Sequence, residues 1–441
     1  MRIDSARRVI VVLGIALLVF HLCAAELFRK PDGRVVFGDA AHHYVQLRSI
    51  VFDYDFDFKN DYLGLYKITR VEDSPPWLTT DLTPTGRVRN YMPVGPALLW
   101  APLFALMAGG LWLLSLVGAR PPPDGFEHVL QLAPGITGVV AATVAAWCAW
   151  RLARRTTDDW TAGRGVIGIW LGSSALYYSL VAPSYSHAAS MFACALFFLH
   201  WLDTDTTWTP ARAVVSGALA GFASLMRWQD ALLLAIPMYE MLRAPLPWSR
   251  RATGIAAAAV GWAVVFSPQM AVWNALYGRP LAMPQGPSFM QWANPHPLLL
   301  LFSDNHGLLT WTPIVALSLV GLFTFAKAHR RFALPLVWIL LSAWYVNASV
   351  ADWWAGEAFG ARRFLSLFPL FALGLATWAG GRAPGRRAAT IACVVGFTWL
   401  LLFQYELFMK GFRDIAPYPH GWFDFWLARF VVPFRLIAQL L

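Results

Sequence analysis

Charge is scarce in this chain: 14% of its 441 residues are Asp, Glu, Lys or Arg, where soluble proteins carry about a quarter. That deficit excludes an ordinary soluble domain. Cysteine is scarce too. Cys23, Cys148, Cys194 and Cys393 lie in or beside apolar stretches without metal-type spacing, which excludes a disulfide framework and reads them as small buried hydrophobes. No GxxxxGK[ST] run occurs, nor a GxGxxG between a strand and a helix, so nucleotide chemistry on the short loops is disfavoured. No long-period repeat stands out, which weighs against an inverted-repeat transporter.

What is present is apolar. The chain is 58% hydrophobic with 23 Trp and 30 Phe and a mean hydropathy of +0.50, the profile of a multi-span protein with aromatic residues at two membrane interfaces. Apolar segments of spanning character fall at 9–26, 94–118, 130–150, 165–182, 187–202, 211–226, 231–242, 252–275, 309–326, 332–350, 364–380 and 388–409. The formal charge of +10 is spread in short basic runs between these segments, which marks membrane topology and excludes a nucleic-acid partner. Arg2, Arg7 and Arg8 precede the first segment, which reads as an uncleaved first helix with a cytoplasmic N-terminus.

Even numbers of segments separate the runs Arg151–Arg155, Arg243–Arg251, Lys327–Arg331 and Arg382–Arg387, so these share the cytoplasmic side. Three segments, however, separate the N-terminus from Arg151. Both can be cytoplasmic only if 94–118, with Gly109-Gly110 at its middle, is re-entrant or split. The expectation is an all-α polytopic membrane protein of roughly 11 to 13 transmembrane helices. A single domain over 1–441 carries extracytoplasmic loops at 29–93 and 276–308, the first with short amphipathic helices.

This topology gathers the reactive groups on one side. In "GDAAHHYVQLRSIVF", Ala40, Tyr44, Leu47, Ile50 and Val51 have a helical rhythm suited to a membrane surface. Asp39 sits where a helix N-cap would, the commoner role at such a position, and where a carboxylate could also take a proton from a hydroxyl. His42 and His43 point about 100° apart on a helix and do not share one ion. "DYDFDF" reads as an extended edge whose Asp53, Asp55 and Asp57 are solvated or hold a divalent cation. "PSYSH" brings Tyr185 and His187 to a helix start, and "MRWQD" sets Arg227 beside Asp230 as an ion pair or a ligand. The second loop holds His296, Asp304 and His306, with Asn294 and Asn305 able to bond sugar hydroxyls and Trp292 offering an aromatic face. In "DWWAGEAFGARRF", Arg362 and Arg363 suit a phosphate, lipid headgroups, or Glu357.

The first span followed by "GDAAHHYVQLRSIVFDYDFDFKNDY" and then "NYMPVGPALLWAPLF" resembles membrane glycosyltransferases of the GT-C superfamily, and more nearly bacterial members related to the aminoarabinose and protein mannosyl transferases. The likeness covers about 38–62 and 90–104, with a looser match in span layout. It implies a multi-pass protein of the bacterial cytoplasmic membrane with an extracytoplasmic active site. Its implied donor is a polyprenyl-phosphate-linked sugar, and the acceptor a glycan, lipid or protein. By this likeness Asp39 is the catalytic acid of the first loop. His42, His43, Tyr91, Tyr185, His187, Arg227, His296, Asp304, His306, Glu357, Arg362 and Arg363 are candidate substrate-binding residues. Many relatives carry a second acid after the first, where this chain has Ala40, and no large soluble domain follows the last span; metal dependence and the acceptor are therefore open. No motif calls for a cofactor. A transporter or flippase for a lipid-linked sugar is the competing reading, for which the few acids near segment ends, Glu26, Glu240 and Glu406, offer little support.

Overall fold

The computed structural model describes residues 5–27, 29–30, 32–203, 208–381 and 383–440. Arg2 and Arg382, counted in the basic runs above, lie outside them. The helices are α1 (Ala6–Leu27), α2 (Asp39–Arg48), α3 (Lys59–Leu65), α4 (Gly95–Leu116), α5 (Leu132–Ala153), α6 (Asp159–Leu171), α7 (Ser174–Leu180), α8 (Ser186–Asp203) and α9 (Pro210–Met226). They continue with α10 (Ala235–Arg243), α11 (Trp248–Tyr277), α12 (Pro297–Phe302), α13 (Leu308–Trp311), α14 (Ile314–Ala328), α15 (Ala333–Ala348), α16 (Phe368–Ala379), α17 (Pro384–Met409) and α18 (Trp422–Leu440). Among the described residues there is no strand, only isolated bridges at Leu82–Val88 and Met290–Val350. The protein is all-α.

Six helices are long and apolar enough to cross a membrane: α1, α4, α5, α11, the helical stretch Arg330–Ala348 that contains α15, and α17. Apolar segments at 165–182, 231–242, 309–326 and 364–380 are each broken into a shorter α-helix and a second helical piece. Helix α18 was not among the expected segments, because Arg429, Pro433 and Arg435 interrupt its apolar run. Arg429 is nonetheless fully buried, its guanidinium 3.9 Å from the Phe397 ring centre and 4.4 Å from that of Phe425, which offsets its desolvation. Of the cysteines, Cys148 and Cys194 are buried, but Cys23 and Cys393 are exposed on α1 and α17, so only two of the four are the buried hydrophobes expected.

The chain forms two compact units, one of Met1–Leu13, Thr143–Tyr178 and Ser288–Leu441, the other of Gly14–Ala142 and Ser179–Pro287. In the first, α14 packs on α16 and α16 on α6. The approach is close enough that a Cβ on Gly321 would strike the Gly374 carbonyl. In the second, α9 packs on α11. Gly217 and Gly221 make a Gly-x-x-x-Gly face there, and a Cβ on either would strike the backbone of Ala258 or Trp262, the small-residue contact that membrane helices use.

Helix α4 is one continuous helix through Gly109-Gly110, not a split pair, since glycine is tolerated in apolar membrane helices. Both of its flanks are tied to the first loop. Before it, α2 is stitched to loop 90–93 by the Gln46 amide donating to the Met92 carbonyl (3.0 Å). After it, the Tyr44 hydroxyl donates to the Gly125 carbonyl (2.6 Å), Arg48 Nε donates to Asp124 O (3.0 Å), and the Val35 amide donates to Gln131 (3.1 Å). Both flanks of α4 are thus held on the first loop. At the other end of α1 and α5, the Ala6 amide donates to Asp159 (2.9 Å).

Candidate functional site

The first loop folds around α2. Its Ala40, Ala41, Tyr44, Val45 and Leu47 are fully buried, so apolar burial makes this helix. Gly38 occupies the N-cap with φ 55°, and no side chain caps the helix. Asp39 is thus the first helical residue and not the cap; a carboxylate there faces the unpaired amides of the first turn. Only glycine fits at 38, because a Cβ would meet the Tyr185 hydroxyl and the positive φ is costly for other residues. The Phe37 and Tyr185 rings meet edge-on at 6.4 Å.

One turn on, two histidines are fixed in opposite tautomers. His43 Nδ1 lies 3.0 Å from the Pro93 carbonyl, so it carries the proton; Nε2 is buried without a hydrogen-bond partner. Burial depresses His43 to about 3, outweighing the pull of Asp39, and the Arg227 charge adds to the depression. His42 Nδ1 lies 2.6 Å from the Tyr62 hydroxyl. Asn90 Nδ2 donates to the same hydroxyl (3.3 Å) and to the His42 carbonyl (2.9 Å), so Tyr62 donates to His42. His42 is also depressed by burial against the Asp39 charge. Both imidazoles are neutral at neutral pH.

Arg227, at the end of α9, donates from Nη1 to His187 Nδ1 (2.7 Å) and from Nη2 to Gln229 (3.3 Å). Beside it the Ser190 hydroxyl donates to Asp230 (2.8 Å). This unit therefore brings Asp39, His43, Tyr185, His187 and Arg227 into one neighbourhood with Asp39 the half-buried acid. Tyr91 donates to Asp81 (3.1 Å), which pairs with Arg89 (3.0 Å).

The later aspartates have structural work. The 49–53 stretch is a π-helical turn closed by Tyr54 at φ 59°, so "DYDFDF" is not the extended edge expected; the turn continues α2. Arg48 pairs with both Asp53 and Asp61 and lies 4.7 Å from the centre of the Phe126 ring. Asn60 donates to Asp53 (2.7 Å) and Ser49 to Asp55 (2.8 Å), while the Lys59 amide reaches Asp57 (3.3 Å). Asp61 is fully buried, and burial pushes it up to about 7 in spite of Arg48.

The remaining candidates belong to the other unit. His306, at φ 64°, is bonded through Nδ1 to the Trp354 carbonyl (2.8 Å) and through Nε2 to the Tyr418 hydroxyl (3.0 Å); burial lowers it to about 4. Asp304 accepts from the Gly421 amide (2.5 Å) and pairs with His420 (3.1 Å). Glu357 and Asp304 both act on Tyr418, which burial raises to about 12. Arg362 donates to the Ala355 carbonyl (3.1 Å), and Arg363 donates to Asp352 Oδ1 (2.8 Å). His296 stands apart, against Trp353 at 6.2 Å. Sequence reasoning missed Tyr62, Asn90 and Tyr418; Tyr62 and Asn90 lie within or beside the stretches that carry the family likeness, which was the available signal.

Among the described residues, no group of three or more His, Cys, Asp or Glu side chains is placed to hold a metal ion. No protein-family model and no curated protein matches the chain.

Proposed function

We propose that the protein is a GT-C-type glycosyltransferase of the bacterial cytoplasmic membrane, using a polyprenyl-phosphate-linked sugar on the extracytoplasmic side. On this reading the bundle of about 11 to 13 spans draws on shorter apolar helices such as Ser186–Leu202, Pro210–Met226 and Ile314–Ala328 as well as the long ones. The observation that carries the reading is the company of Asp39: a half-buried carboxylate at the start of α2, neutral His43 on the next turn, and the Arg227 guanidinium acting on that histidine. It falls within the stretch that resembles the family.

Asp39 accepts the proton of the acceptor hydroxyl as its oxygen attacks the anomeric carbon. The bond from that carbon to the phosphate oxygen breaks, and its electron pair leaves with the polyprenyl phosphate, inverting the centre. Arg227, oriented by His187 and Gln229, offsets the charge that develops on the phosphate. Neutral histidines beside Asp39 add no cation that would hold it in an ion pair.

The test is transfer of labelled sugar from polyprenyl-phosphate donors by the purified protein in lipid nanodiscs. Asp39→Asn is expected to lower turnover by about 10²- to 10⁴-fold while donor binding persists. Undiminished transfer by the variant removes Asp39 from the chemistry. Movement of intact donor across the bilayer without transfer would favour the flippase.

A further inference from the structure

Between Arg279 and Asp304 the chain has no charged residue. Helix α12, six residues long, buries Leu300 but exposes Leu298 (67%), Leu299 (48%) and Phe302 (46%). At about 9 Å it is far too short to cross a hydrocarbon core of about 30 Å. The segment is nevertheless bolted to the end of α15. Trp344 Nε1 donates to the Pro297 carbonyl (3.0 Å), the Tyr345 hydroxyl to the Trp292 carbonyl (2.8 Å), and the His296 amide to the Ala348 carbonyl (2.8 Å).

Helix α15 carries an exposed apolar stripe, Leu334, Val337, Trp338, Leu341 and Tyr345, the spacing of one helix face. As part of a candidate span, that stripe faces lipid. Its last member, Tyr345, stacks on exposed Trp292 at 5.9 Å, the amphipathic ring pair expected at a membrane interface. The exposed face of α12 continues this surface without an intervening charge.

We propose that residues 291–302 form a foot seated in one leaflet, with Leu298, Leu299 and Phe302 among the acyl chains just beneath the headgroups. Charge resumes at Asp304, which places the Asp304–His306 cluster at the water side of that boundary. The foot is independent of the glycosyltransferase reading.

The test places a fluorescent NBD label on Leu298→Cys or, separately, Phe302→Cys, in a background with Cys23→Ser and Cys393→Ser, in phosphatidylcholine nanodiscs. The two positions are read separately so that poor folding of one variant leaves the other. Lipid carrying a doxyl quencher near the headgroup end of its acyl chain is expected to quench at least about twice as strongly as aqueous iodide. A label on exposed Glu72→Cys should show the reverse order. Iodide quenching at 298 and 302 equal to that at 72 would overturn the proposal. So would energy transfer between separately labelled copies without lipid quenching, which would put a second copy on this face.

Discussion

At Asp61 a carboxylate is buried against Arg48, and desolvation outweighs the ion pair, raising it to about 7. The folded state therefore holds this proton more tightly than the unfolded chain. Its contribution to stability is complete below the ordinary carboxylate value and is lost as pH rises through about 7. Thermal unfolding in nanodiscs should show stability declining between about pH 4 and 7 in the native protein, and Asp61→Asn should flatten that dependence. An unchanged pH profile would mean Asp61 ionises freely. Gly38 makes a second residue-scale case. Gly38→Ala adds a Cβ against the Tyr185 hydroxyl at a positive φ, so a loss of about 1–3 kcal/mol is expected. Tyr185→Phe in the same chain should restore part of it, since the hydroxyl is the nearest obstacle; equal losses in the single and double variants would point to the backbone alone.

Among the helices, the α9–α11 pair depends on backbone approach at Gly217 and Gly221. Gly217→Leu should force these helices apart and cost about 1–3 kcal/mol, the range for overpacking, read as a lowered unfolding temperature. A variant that melts with the native protein would show that the pair is looser than drawn. Helix α2 was legible beforehand because its apolar residues recur at helical spacing. The turn after it was not: alternation of acid and aromatic in "DYDFDF" matches a strand, but Arg48 draws Asp53 and Asp61 inward, and that pairing overrides the local pattern. Helix α18 was hidden for a related reason, since Arg429 finds an aromatic cage that no window of sequence reveals.

Across the whole molecule, the sharpest consequence concerns sidedness. Loops before and after α4 grip the same helix, so an impermeant thiol reagent should label Asp73→Cys and Pro122→Cys from one side of the membrane, and Arg154→Cys from the other. Labelling of 73 and 122 from opposite sides would mean that α4 crosses. Low charge and long apolar runs in the sequence were enough to point to an all-α multi-span membrane protein, because a run of about 20 apolar residues satisfies its backbone in lipid as a helix. The placing of basic runs was likewise readable, and so was the likeness that singled out Asp39. Tertiary structure decided which side chains keep company with it. His43 owes its tautomer to the Pro93 carbonyl, Arg227 its orientation to His187, and Gly38 its identity to Tyr185, each from a segment well separated in the chain. Such pairings leave no periodic trace in sequence, because they are set by where packed helices bring their ends.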